Sequence, residues 1–79
     1  MIRNDLQKVV VEALKHYNNS ASIIEICKYV WEHYQDQLKN SGDLFYTWQY
    51  DIRWAATQLR EAKIMKAKEI SPRGLWELV

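Results

Sequence analysis

The sequence has few of the residues on which cross-linked or membrane-spanning folds depend. It contains one cysteine, Cys27, two glycines and one proline in 79 residues. A lone cysteine cannot form an internal disulfide, which argues against a small secreted scaffold. The apolar runs are only a few residues long, far short of the ~20 needed to cross a bilayer, and Asp5 and Lys8 interrupt the start of the chain. We therefore expect a cytoplasmic protein with no signal peptide and no membrane partner.

An excess of charge of one sign is also missing. The chain carries 11 basic and 10 acidic residues, for a net charge of +1. This balance provides no general attraction to nucleic acid. Any nucleic-acid binding would have to use a local basic patch, and the affinity from one small patch should be modest.

The sequence also has little with which to build a catalytic or metal site. His16 and His33 fall on different predicted helices, and neither has a second ligand at metal-binding spacing. Cys27 lies on an apolar helical stripe, which favours an inert buried thiol, and there is no glycine-rich phosphate loop. We expect a non-catalytic domain with no metal, no cofactor and no small-molecule substrate.

Apolar residues, by contrast, make up 48% of the chain, and their spacing predicts three helices. The first spans about residues 4–17. The second begins at a capping box formed by Ser22 and Glu25 and continues to about Leu38. The third begins between Leu44 and Thr47 and continues to about residue 63. Its predicted buried stripe consists of Trp48, Ile52, Ala55, Ala56, Leu59 and Ala62.

The spacing of the apolar residues changes after the third predicted helix. Residues 64–68 and 75–79 each fit a strand, and the segment between them is rich in turn-forming residues. Ala21 and Ser22 could form a short earlier strand. The order predicts one domain over residues 1–79, mainly α with a small β-hairpin: a winged helix-turn-helix with three helices and a C-terminal wing.

Two motifs in the C-terminal half carry a family resemblance. The run Arg53-Trp54-Ala55, followed by Leu59, Ala62 and Ile64, and the segment Ser71-Pro72-Arg73-Gly74-Leu75-Trp76 resemble the N-terminal domain of Mrr-type restriction endonucleases. The resemblance extends over nearly the whole chain. It implies a winged-helix DNA-recognition module of a restriction system or a regulatory protein, fused to or partnering a nuclease domain. The chain departs from the family pattern at Lys63, where glycine is common, and at Asp51, where a basic residue is expected.

In such a module the third helix would enter the major groove of double-stranded DNA and the 64–79 hairpin would contact the backbone. Gln49 and Arg53, four residues apart, share a face, and their side chains suit adenine and guanine edges. The remaining candidates have side chains that can bind phosphate or sugar, or are polar and off the apolar stripe. The full set of candidate DNA-binding residues is Thr47, Gln49, Tyr50, Arg53, Thr57, Arg60, Lys66, Lys68 and Arg73.

A protein-interaction or dimerisation module on the same fold is the alternative. The near-zero net charge and Asp51 on the predicted reading helix favour it. Trp54 bears on this choice because it points away from the apolar stripe of its helix. We expect it to pack beneath the wing near Trp76; the alternative is an exposed partner surface with Tyr46 and Tyr50.

Overall fold

The computed structural model describes all 79 residues and has three helices and two short strands. In chain order the elements are α1 (Asp5–His16), β1 (Ser20–Ser22), α2 (Ile23–Lys39), α3 (Leu44–Glu61) and β2 (Leu75–Glu77). This mainly helical architecture with a small antiparallel sheet confirms the predicted fold class, a small winged helix-turn-helix. None of the helices combines the length and the apolar character that spanning a bilayer requires.

The ends of the helices follow from local sequence. At the start of α2 the Ser22 hydroxyl accepts a hydrogen bond from the Glu25 backbone N–H, and the Glu25 carboxylate accepts one from the Ser22 N–H. This confirms the predicted capping box. After α1 and after α3 the chain turns through a residue with positive φ, Asn18 and Lys63 respectively. Each is followed by a backbone N–H that bonds to the carbonyl five residues earlier, the Schellman arrangement.

The apolar stripes of the helices meet in one core. It comprises 18 buried residues, none of them polar or charged. The stripe predicted for α3 is buried from Trp48 to Leu59, but Ala62 is exposed, contrary to the prediction. The reason is that α3 ends at Glu61, so Ala62 is the C-cap residue and no longer follows the helical period.

The predicted hairpin needs a correction. Residues 64–68 do not form a full strand, but Met65 makes an antiparallel bridge to Leu78. Two backbone hydrogen bonds flank this bridge, from the Lys66 N–H to the Glu77 carbonyl and from the Val79 N–H to the Ile64 carbonyl. β2 instead finds its main partner in β1, with Ala21 opposite Trp76 in antiparallel register. β1 and residues 64–66 bond to opposite edges of the C-terminal segment: the Leu78 N–H donates to the Asn19 carbonyl, whereas the Glu77 carbonyl accepts from the Lys66 N–H. The pairing predicted for the hairpin is therefore reduced to residues 64–66, and β1 adds a partner on the other edge. Residues 66–74, which we call the wing loop, connect the Met65 bridge to β2.

A polar contact joins the outer faces of α1 and α2. The carboxylate of Glu12 accepts hydrogen bonds from the hydroxyls of Tyr34 at 2.7 Å and Tyr29 at 2.8 Å. These bonds hold the pKa of Glu12 below its usual value, and the bond from Tyr34 has the larger effect. The same bond raises the pKa of the Tyr34 phenol to about 12. The two tyrosines thus brace α1 against α2, Tyr29 as a buried member of the core and Tyr34 as a partly buried residue packed against it.

The placement of Trp54 differs from the prediction. The Arg3 guanidinium lies over its ring, with Cζ 3.9 Å from the ring centroid, a cation–π contact. Trp76 is covered instead by Arg60, with Cζ 5.9 Å from the ring centroid. Trp54 and Arg60 are six residues apart on α3 and so point about 120° away from each other. Trp54 therefore packs toward the segment before α1, not beneath the wing.

Candidate nucleic-acid interface

The exposed face of α3 is a ridge with two tyrosines and one arginine. An α-helix turns about 100° per residue, so positions four, seven and eleven residues apart lie on one side. Tyr46, Tyr50, Arg53 and Thr57 have this spacing and all are exposed, on the side of the helix opposite its buried stripe. The tyrosine rings are largely open to solvent, at 83% for Tyr46 and 77% for Tyr50. This ridge is the part of α3 that could enter a groove of DNA.

Gln49 and Thr47 lie on opposite flanks of this ridge. Gln49 is exposed on the flank toward α2, close in angle to Arg53, as the four-residue spacing predicts. Thr47 is exposed on the other flank, where its hydroxyl donates a hydrogen bond of 2.7 Å to the carboxylate of Asp51. Asp51, the acidic residue that departs from the family pattern, is thus engaged on the flank and does not lie on the ridge.

A basic cavity lies between the C-terminal half of α3 and the wing loop. Its volume is about 330 Å³. We call it the wing pocket; its lining residues are Ile23, Arg53, Arg60, Lys68, Ser71, Pro72, Arg73, Gly74, Leu75 and Trp76. The lining includes four cationic residues and no acidic one. In a chain with almost equal numbers of acids and bases, this is a marked local segregation of charge.

Two polar atoms at the wing pocket lack an internal partner. Nε of Arg60 and Oγ of Ser71 are buried and make no hydrogen bond within the protein. Buried polar groups are almost always hydrogen-bonded, so a buried polar atom without a partner requires an explanation. The guanidinium of Arg60 is positioned over the Trp76 ring, and the residue is only partly exposed. Arg60 is therefore held in place at the pocket wall and is not a freely mobile surface cation.

The three predicted wing cations do not share one environment. Lys68 and Arg73 are exposed and line the wing pocket. Lys66 is half-buried next to the Met65 bridge, and its backbone N–H donates to the Glu77 carbonyl at 2.8 Å. Lys66 is not part of the pocket lining. The structure thus brings Lys68 and Arg73 together with Arg53 and Arg60, and leaves Lys66 outside this group.

A second concavity lies between α2 and the N-terminal half of α3. It has a volume of about 620 Å³, and we call it the aromatic groove; its lining residues are Ile24, Cys27, Lys28, Trp31, Phe45, Tyr46, Trp48 and Gln49. The indoles of Trp31 and Trp48 stack with their planes 3° apart and their centroids 6.1 Å apart. Burial raises the pKa of the Cys27 thiol, and the charge of Arg53 opposes this only in part. The thiol is therefore protonated at neutral pH, as expected for an inert cysteine.

Sequence reasoning missed two residues that the structure brings into these sites. Ser71 lies in the predicted turn segment and in the motif that carries the resemblance, but it is not among the candidate DNA-binding residues. Tyr46 was considered only as an interaction surface, yet its spacing of four residues from Tyr50 and seven from Arg53 places it on the ridge. The helical period was the signal for Tyr46. For Ser71 the closeness of α3 and the wing loop could not be read from the sequence.

Comparison of the chain with protein-family models, with curated proteins and with solved structures finds no match.

Proposed function

We propose that this chain is a DNA-binding winged-helix domain, a target-recognition module of a restriction-system or regulatory protein that acts in the cytoplasm. The observation that carries the proposal is the wing pocket, where Arg53 and Arg60 of α3 meet Lys68 and Arg73 of the wing loop. Cations that neutralise phosphates supply essentially all of the non-specific affinity of proteins for DNA. A group of four cations without an acid supplies this on a chain whose net charge is only +1.

The α3 ridge supplies the groups that could read sequence. Arg53 belongs both to the ridge and to the wing pocket, so the helix face and the wing loop form one continuous surface. With the ridge in the major groove, Arg53 and Gln49 would reach base edges, and Tyr50 would reach sugar and phosphate. The Thr57 hydroxyl donates to the Arg53 carbonyl at 3.2 Å, so it would meet DNA as an acceptor. The wing loop would follow the adjacent backbone. In this proposal the domain does no chemistry itself, and any cleavage belongs to a fused or partner nuclease.

The test compares duplex binding by three single variants that each remove one positive charge. Arg53→Ala should cost about 1–3 kcal/mol at a preferred sequence and relax base preference. Lys68→Ala should weaken binding to all sequences alike. The matched control is Lys8→Ala, which removes an exposed cation of α1 and should leave affinity unchanged. Fluorescence anisotropy on random and selected duplexes measures all three. Equal affinities for the four proteins would refute the proposal.

A protein-interaction module is the second candidate, and the aromatic groove favours it. The groove is lined mainly by apolar side chains, and two of them, Ile24 and Tyr46, are largely exposed. Exposed apolar surface of this kind often marks a contact with another protein. Analytical ultracentrifugation separates the two candidates. A stable dimer abolished by Ile24→Glu, together with no affinity for duplex DNA, would favour the interaction module.

A further inference from the structure

We propose that the wing pocket is a receptor for a phosphate monoester and that its ligand is the terminal phosphate of a DNA strand. This inference rests on the proposed DNA-binding function and makes it more specific. It concerns which phosphate the pocket receives: the end of a strand, or a phosphodiester in its interior.

The first argument is charge. A phosphate monoester carries about −1.5 to −2 at neutral pH, whereas each backbone phosphodiester carries a single negative charge. The wing pocket presents four cationic residues to one cavity. Three of them are arginines, whose guanidinium groups bind phosphate oxygens through two parallel hydrogen bonds. A single diester would leave most of this charge unmatched, and a dianion matches it better.

The second argument is hydrogen bonding. Arg60 Nε and Ser71 Oγ are buried at the pocket without a partner in the protein. Both are donors, and because neither atom is open to solvent, a phosphate oxygen would reach them after a small rotation of each side chain. A terminal phosphate has three non-ester oxygens and so can accept from both donors while other oxygens meet the remaining cations. The ligand would thus satisfy two groups that the fold leaves unsatisfied.

The third argument is shape. The pocket is a cavity between a helix and a loop, not a flat strip along the surface. A monoester enters such a cavity through one ester bond, whereas a diester needs room for the chain to leave on two sides. The wing loop is also braced: the Ser71 N–H donates to the Ala67 carbonyl and the Leu75 N–H to the Pro72 carbonyl. The loop therefore already has a folded shape before a ligand arrives.

The experiment uses three DNAs of the same sequence and the full chain. One is a blunt duplex with phosphate at its ends, the second has hydroxyls at those ends, and the third is a closed dumbbell without ends. We expect the phosphorylated duplex to bind about tenfold more tightly than the other two. A 5′-phosphate and a 3′-phosphate version show which end is received. A preference for either supports the inference, and equal affinity for all the DNAs overturns it.

Two variants connect the preference to the pocket. Ser71→Ala should remove most of the preference, and because Ser71 Oγ has no partner in the protein, the fold should tolerate the change. Arg60→Lys keeps the charge but removes Nε and should reduce the preference as well. Lys8→Ala, on α1, is the control and should keep it. A preference that survives both pocket variants would overturn the inference.

The pH dependence separates monoester from diester. The second ionisation of a phosphate monoester lies near pH 6, so the preference should shrink as the pH falls from about 7.5 to about 5.5. The charged groups that line the pocket are Arg53 and Arg60 of α3 and Lys68 and Arg73 of the wing loop, and no histidine or carboxylic acid is among them. The residues from α2 and β2 that line it are uncharged. A preference independent of pH would contradict a monoester site.

The two proposals fail in different ways. Salt-dependent binding of the dumbbell without any end preference overturns the receptor and leaves the DNA-binding proposal standing. If no DNA binds, inorganic phosphate alone is titrated while the Ser71 amide is followed by NMR. A saturable change in the chemical shift of the Ser71 amide that is lost in Arg60→Lys would support a phosphate receptor and reject DNA as the source of the phosphate. The absence of any shift rejects both proposals.

Discussion

At the scale of single residues, the carboxylate of Glu12 shows how one surface charge can join two helices. It accepts hydrogen bonds from Tyr34 and Tyr29 of α2, and these bonds lower its pKa. A glutamate whose pKa is lower in the folded state adds stability above its ordinary pKa. The contribution disappears as the pH falls through the lowered value, because the protonated acid no longer gains from these donors.

Glu12→Gln should therefore lower the free energy of unfolding at about pH 7 by about 1 kcal/mol, the charge-assisted part of the two bonds reduced by solvent screening. The difference from the native chain should be smaller at about pH 3, which lies below the ordinary pKa of glutamate. Urea unfolding at both pH values measures it. Glu32→Gln removes a carboxylate from the exposed face of α2 and serves as the matched control. A difference that is constant with pH would mean that the carboxylate charge is not responsible.

Lys63 is a second residue that affects the stability of the fold, in this case through its backbone conformation. Its φ is +64°, in the left-handed region that costs a residue with a side chain about 1–2 kcal/mol. It occupies the C′ position after α3, where glycine is the usual residue. Glycine is also common at this position in the family that the sequence resembles.

Lys63→Gly should raise the free energy of unfolding by about 0.5–1 kcal/mol, since relief of the strain exceeds the extra flexibility of glycine in the unfolded chain. Thermal unfolding followed by circular dichroism checks this. Lys63→Ala is the control: it removes the same cation but keeps a Cβ, so it should bring no such gain. Equal stabilisation by both variants would point to the charge and not to the backbone.

At the scale of elements, the start of α2 connects the sheet to the helix-turn-helix. Ser22 ends β1, where it pairs with Leu75, and its hydroxyl also caps α2. Ser22→Ala keeps the backbone pairing but removes the cap, and should cost about 1 kcal/mol of stability. Ser20→Ala, in the same strand and without a capping role, should cost much less. Chemical denaturation measures the free energy of unfolding of both variants, and equal losses of stability would contradict the capping role.

The elements also show which parts of the fold the sequence could predict. The helices and the capping box depend on residues a few positions apart, so periodicity and the spacing of Ser22 and Glu25 revealed them. The pairing of Ala21 with Trp76 joins residues that are distant in the chain. No local pattern indicates that β1, and not residues 64–68, is the main partner of β2. Arg3 over Trp54 is likewise a contact between chain segments that no periodicity relates.

The sequence likewise predicts those parts of the candidate site that depend on local patterns and not those that depend on contacts between distant segments. Exposure along α3 follows from the helical period, which correctly placed Gln49 and Arg53 at the surface. The convergence of Arg60 with Ser71 depends on how the wing loop folds back on α3. That approach is set by tertiary packing, so the candidate cations can be predicted from the sequence but the cavity that they line cannot.

At the scale of the whole molecule, charge distribution matters more than net charge. The chain is nearly neutral, yet four cations line one cavity beside the exposed ridge of α3. Electrostatic binding by such a molecule should be local and of modest strength, because the remaining surface contributes little attraction. It should also be highly sensitive to salt, because each phosphate that is neutralised releases counterions.

The most direct measurement is therefore the affinity for random-sequence duplex DNA as a function of salt concentration. If Arg60, Lys68 and Arg73, the pocket cations that the proposal does not assign to base edges, each neutralise about one phosphate charge, log K should fall linearly with log salt with a slope of about −2 to −3. Lys68→Ala should make the slope shallower by about one. An affinity that does not change with salt, or the absence of binding even at about 20 mM salt where electrostatic attraction is strongest, would contradict the account.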